Sequence, residues 1–131
     1  MRLGVKDKEL ISLASNIALK NTDLYERIDW HVGSALRTKS GKIYIGMNIK
    51  NSHSICAEQV AIGQALANGE REFDTIVAVR VDKEGNANVV SPCGLCRYVF
   101  SQLEIFDMRV IVPDGKKLIK VKVSELLPYP Y

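Results

Sequence analysis

Ser91-Pro92-Cys93-Gly94-Leu95-Cys96-Arg97 is the stretch from which the rest of the chain is read, together with Cys56-Ala57-Glu58 upstream. The three cysteines of the chain all lie in these two segments. Cys93 and Cys96 are three apart, so at the start of a helix they share one face. Two thiolates on one helix end can hold one metal ion, and Cys56 adds a third ligand from elsewhere. Three protein ligands leave one tetrahedral position open, the pattern of a catalytic zinc; a structural zinc is usually closed by four. Glu58 places a carboxylate beside that open position. A zinc-activated water and a carboxylate to move its protons make a hydrolytic centre. Taken alone, Glu58 reads as a helix-start acid that favours the macrodipole. Its place between Cys56 and the distant Cys93–Cys96 pair is what gives it a catalytic reading. Residues two apart in a regular helix point in nearly opposite directions, so Cys56 is expected at an irregular helix start, where both side chains reach over the N-terminus.

The 131 residues suit one domain, spanning 1–131. At this length roughly two thirds of the unfolded surface can be buried. Apolar residues make up 47% and charged residues 25%, ordinary values for a globular protein. The net charge of +3 forms no dense run and argues against a nucleic-acid partner. Charges interrupt Met1-Arg2-Leu3-Gly4-Val5-Lys6-Asp7 before any apolar run develops, so no secretory leader is expected. No segment approaches the roughly 20 apolar residues of a membrane span. The cytoplasm is the expected compartment. Three cysteines cannot all pair within one chain, and a reducing compartment favours metal or redox roles for them.

Along the chain, Lys6 to Lys20 carries a helical apolar stripe. Trp30 to Thr38 and Lys42 to Ile49 read as a hairpin around Lys39-Ser40-Gly41. Asn48 to Ser54 reads as a polar loop leading into Cys56. Cys56 to Asn68 is a buried helix, and Gly69 can end it. The β-branched run Thr75 to Val81 is a buried strand, and Asp82 to Asn88 a polar turn. Pro92 opens a second metal-bearing helix, running to about Leu103. Met108 to Val112 and Lys117 to Val121 are strands around Pro113-Asp114-Gly115, and Ser124 to Leu127 is a last helical turn. This order predicts an α/β fold with five strands and helices on both faces of a central sheet.

Cys56-Ala57-Glu58 followed by Ser91-Pro92-Cys93-x-x-Cys96-Arg97 resembles the small three-cysteine cytidine deaminases and blasticidin S deaminase, zinc enzymes whose glutamate is not a metal ligand. The resemblance runs from about Trp30 to Tyr131. It implies a three-layer αβα sandwich with a five-stranded mixed sheet, and one zinc held by Cys56, Cys93 and Cys96. Glu58 would take a proton from the zinc-bound water, protonate ring nitrogen N3 and help the amine leave as ammonia, while hydroxide attacks C4. The Ala57 N–H would hold the base O2, and the Ser91 carbonyl would face the departing amine. Trp30-His31-Val32-Gly33 resembles the family's Phe-Pro-Val-Gly, which sets Trp30 against the pyrimidine; an ordinary core aromatic is the other reading. Leu126-Leu127-Pro128 with Tyr131 resembles the family's C-terminus, where an aromatic closes a neighbouring subunit's site; a frayed tail is the other reading. The small members are homotetramers, so a homotetramer with sites near subunit interfaces is expected.

Around the zinc, both cysteine segments open helices, and their N-termini favour the thiolate forms. Arg97 reads either as a donor to a thiolate or as an ordinary helix-surface arginine. His31 and His53 are not needed as ligands. Two positions depart from the family. Its Asn-x-Glu, which grips the ribose, appears here as Asn48-Ile49-Lys50, and its arginine after Cys-Ala-Glu is here Gln59. Asn48 keeps its role by resemblance. Lys50 replaces an acceptor with a donor, which suits a carboxylate or phosphate on the substrate or else points to solvent.

The leading expectation is a zinc-dependent hydrolase that deaminates a small cytosine nucleoside, cytidine or deoxycytidine. The alternative is an aminonucleoside such as blasticidin S. A polynucleotide-editing deaminase, a zinc-stabilised binding module and a thiol redox protein are the other classes. The first needs a strand path that this charge pattern does not suggest, and the other two leave Cys56-Ala57-Glu58 unexplained.

Overall fold

The computed structural model describes residues 2–21, 31–49 and 55–129. Its elements in chain order are α1 (Val5–Lys20), β1 (His31–Thr38), β2 (Ile43–Met47), α2 (Ala57–Ala67), β3 (Phe73–Val81), β4 (Ala87–Val90), α3 (Gly94–Gln102), β5 (Arg109–Asp114), β6 (Lys117–Lys122) and α4 (Val123–Leu126). The strands form one mixed sheet in the order β2-β1-β3-β5-β6, and β4 also pairs with β3. β1 is antiparallel to both β2 and β3, and β3 with β5 is a parallel pair. The alternating residues of β3 divide the core. Val77 and Val79 pack with Leu10 and Ala14 of α1 on one face. Ile76 joins Ala61, Ile62, Phe100 and Cys96 of α2 and α3 on the other. The result is the expected three-layer αβα sandwich. Among the described residues no helix is long and apolar enough to cross a membrane.

Among the described residues the sheet has six strands where five are expected. The polar run from Asp82 turns sooner than its composition suggests. The Asp82 N–H donates to the Asn86 carbonyl at 3.1 Å, and the Asp82 carboxylate accepts the N–H groups of Glu84 and Asn86 at 3.0 and 2.9 Å. The chain is thereby folded back by Asn86, and Ala87–Val90 pairs antiparallel with Ala78–Val81. β1 occupies one edge of β3 from Phe73 to Val81. β4 and β5 therefore share the other edge, with β5 at Thr75 and Ile76. This return strand carries the chain into Ser91-Pro92-Cys93. The second helix also starts later than Pro92 suggests: Gly94 is its first residue and Cys93 its N-cap. At the far hairpin, β5 continues through Pro113 and Asp114, so the turn falls at Gly115 and Lys116.

Gly46 on β2 fixes how closely α2 lies on the sheet. A Cβ at this position would stand 2.5 Å from the Ala57 carbonyl oxygen and 2.6 Å from the Ala61 nitrogen. Only a hydrogen allows the first turn of α2, with Cys56 at its start, to lie this low. Gly33 serves α1 in the same way, since a Cβ there would collide with the Ala14 carbonyl.

α1 is tied down by charge as well as by packing. Asp7 is 2% exposed. Its carboxylate accepts the Gly4 N–H at 2.8 Å, pairs with Arg37 of β1 at 3.0 Å and with Lys120 of β6 at 2.9 Å. Arg37 also reaches Asp74 at 2.9 Å. Burial by itself would raise the Asp7 carboxyl, but the Gly4 N–H, Lys120 and Arg37 together outweigh it and hold it below the usual carboxylate range.

Removing the carboxylate with Asp7→Asn is expected to destabilise the fold by about 3 kcal/mol, because Arg37 and Lys120 lose a buried partner. Stability of the parent protein attributable to Asp7 is full above its ordinary value of about 3.9 and is lost as pH falls through the lower folded value. Denaturant melts from pH 7 to pH 2 should therefore show a smaller acid loss in the variant. Two glycine substitutions should have opposite signs in the same melts. Gly46→Ala is expected to cost about 1–3 kcal/mol through overpacking. Gly63→Ala, exposed on α2 with nothing within 4 Å of its Cβ, is expected to add up to about 0.8 kcal/mol of helix propensity.

Candidate active site

Cys56 is the N-cap of α2, with φ −73° and ψ 150°. This extended conformation is the irregular start that the Cys56–Glu58 spacing requires, and it lets both side chains reach the same end of the helix. Cys93 is the N-cap of α3, also extended, and its sulfur accepts the Cys96 N–H at 3.5 Å. The two helix N-termini meet at one point. Cys56 Sγ lies 3.5 Å from Cys93 Sγ, and Cys93 Sγ lies 3.6 Å from Cys96 Sγ. Two sulfurs on a tetrahedral zinc, each at 2.3 Å, are about 3.8 Å apart. The cluster therefore suits zinc with small adjustments. All three cysteines are free thiols, and their ligand atoms lie within 4.8 Å of one another. Among the described residues this group contains no fourth ligand-bearing side chain. His31 is buried in β1 and is not part of it.

Glu58 is 5% exposed. Burial raises its carboxyl; its own backbone N–H and the Cys96 thiol offset part of that effect. A carboxyl held nearer neutrality is suited to both accepting and releasing a proton. The sulfurs differ among themselves. Burial, with the neighbouring Cys93 and Glu58 adding to it, pushes the Cys56 thiol up to about 11. Burial and the Glu58 charge push Cys96 well above the thiol range. For Cys93 burial acts upward too, but the Cys96 N–H and the adjacent thiols outweigh it and lower the value. A divalent cation among the three supplies the positive charge that thiolate formation needs.

Around this centre the remaining sequence candidates fall into three groups. Ala57 is fully buried as the first residue of α2, with its N–H at the helix start. Ser91 is exposed just before the buried Pro92. Asn48 is half-buried at the end of β2, where its Oδ1 accepts the Val32 N–H at 2.9 Å and its own N–H donates to the Val32 carbonyl at 3.1 Å. Trp30, Lys50, His53 and Tyr131 lie outside the described residues.

Of its two readings, Arg97 does not take that of a thiolate donor. Its Nε donates to the Pro92 carbonyl at 2.9 Å and its Nη1 to the Leu126 carbonyl at 3.0 Å. It thus ties the Ser91-Pro92-Cys93 approach to the C-terminal α4. A one-residue step along α3 turns the side chain away from Cys96, which sequence adjacency conceals. Two features were not read from the sequence. Gln59 Nε2 donates to Cys96 Sγ at 3.8 Å; only its substitution for the family's arginine hinted at it. Ile49 and Ile55 exchange backbone hydrogen bonds at 2.8 Å, inside what reads as a polar loop, and so hold the end of β2 beside Cys56.

The family described as the cytidine and deoxycytidylate deaminase zinc-binding region matches residues 5–112. The chain is 42% identical to blasticidin-S deaminase of Bacillus cereus, over 98% of this chain and 94% of that protein. It is also 42% identical to cytidine deaminase of Sporosarcina psychrophila, over 74% of this chain and 71% of that one. The crystal structure of cytidine deaminase from Burkholderia pseudomallei superposes with a TM-score of 0.76 at 30% identity, covering 95% of this chain and 98% of that chain. With its zinc-suited thiol cluster at two helix N-termini and this likeness over nearly its whole length, the chain belongs to the cytidine and deoxycytidylate deaminase family of zinc-dependent hydrolytic deaminases.

Proposed function

We propose that the protein, as a single zinc-dependent deaminase domain, removes the 4-amino group of cytidine or deoxycytidine by hydrolysis, giving uridine or deoxyuridine and ammonia. The observation that carries this reading is the buried Glu58, whose carboxyl meets a three-thiol cluster lacking a fourth protein ligand among the described residues. Cys56, Cys93 and Cys96 hold the metal. Zinc, when bound, supplies the Lewis acidity that makes water a nucleophile near neutral pH. Glu58 accepts the proton of the attacking water and delivers it to ring N3. It then assists the amine at C4 to leave, so one carboxyl serves as base and acid in turn. The Ala57 N–H, at the positive end of α2, holds the base O2. The Ser91 carbonyl accepts from the departing amine, and Asn48 and Trp30 contact the sugar and the ring.

A second reading, deamination of an aminonucleoside such as blasticidin S, is favoured by the relative from Bacillus cereus and by Lys50 and Gln59 in place of the family's residues. A polynucleotide substrate and a closed zinc-binding module draw less support. The charge forms no basic track, and three thiol ligands leave a position for water. We further place the protein in the cytoplasm, without nucleic-acid or membrane partners, as a homotetramer with sites near subunit interfaces. Cys93 is exposed, and Ile55 and Leu95 beside the ligands are exposed apolar residues that a neighbouring subunit, with its Tyr131, would cover.

Purified protein is expected to carry one zinc per chain and to release ammonia from cytidine or deoxycytidine. Glu58→Gln should lower kcat by about 100- to 10,000-fold while zinc content stays at the parent level. Cys96→Ala should lose the metal and the activity together. Turnover by Glu58→Gln near the parental rate would refute the role given to Glu58. Lys50→Glu separates the two substrate readings. If Lys50 faces a substrate carboxylate, this change moves the ratio of kcat/KM for blasticidin S over cytidine down by about tenfold or more. An unchanged ratio places Lys50 outside the sugar site.

A further inference from the structure

Gln59 is the third residue of α2, the place from which a glutamine side chain normally turns back to cap its own helix. It does not do so here: α2 has no side-chain cap bond, and the Gln59 amide crosses to the other helix to reach Cys96 Sγ at 3.8 Å. Cys96 needs such a donor more than its neighbours do. It is fully buried, and the carboxyl of Glu58 lies against it. A sulfur carrying charge in that position is stripped of water and faces a second anion, so hydrogen-bond donors must stand in for solvent. The Cys96 N–H is directed to Cys93 Sγ. The adjacent cation, Arg97, is committed to two backbone carbonyls.

The geometry points to Gln59 as the positioning residue for the Cys96 sulfur: in this chain a neutral amide, reaching across from α2, holds one thiolate of the zinc centre. This rests on the three cysteines being the zinc ligands. An amide differs from a cation here in one respect. It orients the sulfur and replaces lost hydration, yet adds no positive charge. Its hydrogen bond therefore draws less electron density from the Cys96 sulfur than a guanidinium would. The centre is held firmly and its electronic character is set by neutral donors and helix ends.

Gln59→Met keeps the size of the side chain and removes the N–H. We expect it to weaken zinc binding by about 10- to 100-fold in competition with a chromogenic chelator. In the cobalt-substituted protein it should also shift the sulfur-to-metal charge-transfer band. Gln59→Arg, which returns an N–H to the sulfur, should recover most of the affinity and move the band in the direction that added positive charge dictates. Should Gln59→Met fail to fold by circular dichroism, Gln59→Asn, one methylene too short to reach Cys96, is to give the same loss. Zinc affinity and cobalt band equal to the parent in the variant lacking the reach or the N–H overturn the assignment of Gln59. A parent protein that shows no sulfur-to-cobalt band overturns instead the thiolate centre on which the assignment rests.

Discussion

Negative charge gathered at one point is the constraint on which this structure turns. Three sulfurs that must ionise and a carboxyl 5% exposed share one corner of the molecule. Their mutual repulsion is answered by backbone. α2 and α3 both begin at the cluster, each with a cysteine as its N-cap, and a helix start carries roughly half a positive charge. Bringing two helix starts to one point places strict demands on the sheet beneath. Gly46 lets α2 lie low on β2, and the β4 return along β3 leads the chain into α3 on the same face. The fold is, in this sense, a device for aiming two helices.

The two faces of the sheet divide the work. The face under α2 and α3 includes Cys96 in its apolar core, so the metal centre and the packing share side chains. The face under α1 has its own core and the Asp7–Arg37–Lys120 network, with no residue of the cluster. Ionic anchoring is placed where it cannot compete with the thiols for charge. Stability on one face and chemistry on the other can then vary with little interference.

Much of this was legible in the sequence because it rests on local spacing. Cys93 and Cys96 are three apart, so a helix start was implied, and Cys56 and Glu58 are two apart, so an irregular start was implied as well. The strands of the core alternate cleanly, as β3 does. What was hidden depends on contacts between distant segments. β4 carries exposed Ala87 and Asn88 and has no alternating pattern of its own; its pairing is fixed by the Asp82 turn and by the free edge of β3. Pro92 looked like a first helical residue, although the cap is set one residue later by the bond between Cys93 and Cys96. Arg97 lay beside a ligand in sequence, but its orientation is set by a carbonyl of α4 that sequence adjacency cannot reveal. Gln59 could be recognised as unusual without any indication of where its amide went. Nothing in the helical stripe of α1 singled out Asp7, because its two cations come from β1 and β6, 30 and 113 residues away.

The backbone pairing of Ile49 with Ile55 has an evolutionary consequence. The two residues exchange backbone hydrogen bonds just before Cys56, so the ends of whatever stretch joins them are fixed by Ile49 and Ile55 themselves. Doubling the length of such a loop costs only about 0.6 kcal/mol in closure entropy. Insertions, deletions and exchanges can therefore accumulate there while the metal ligands and both helix starts remain undisturbed. Lys50 falls between the two by sequence, whereas Asn48 is bonded to Val32 in the frame beside them. A lineage with this architecture can vary one short cassette and keep its three thiols and both helix starts unchanged throughout.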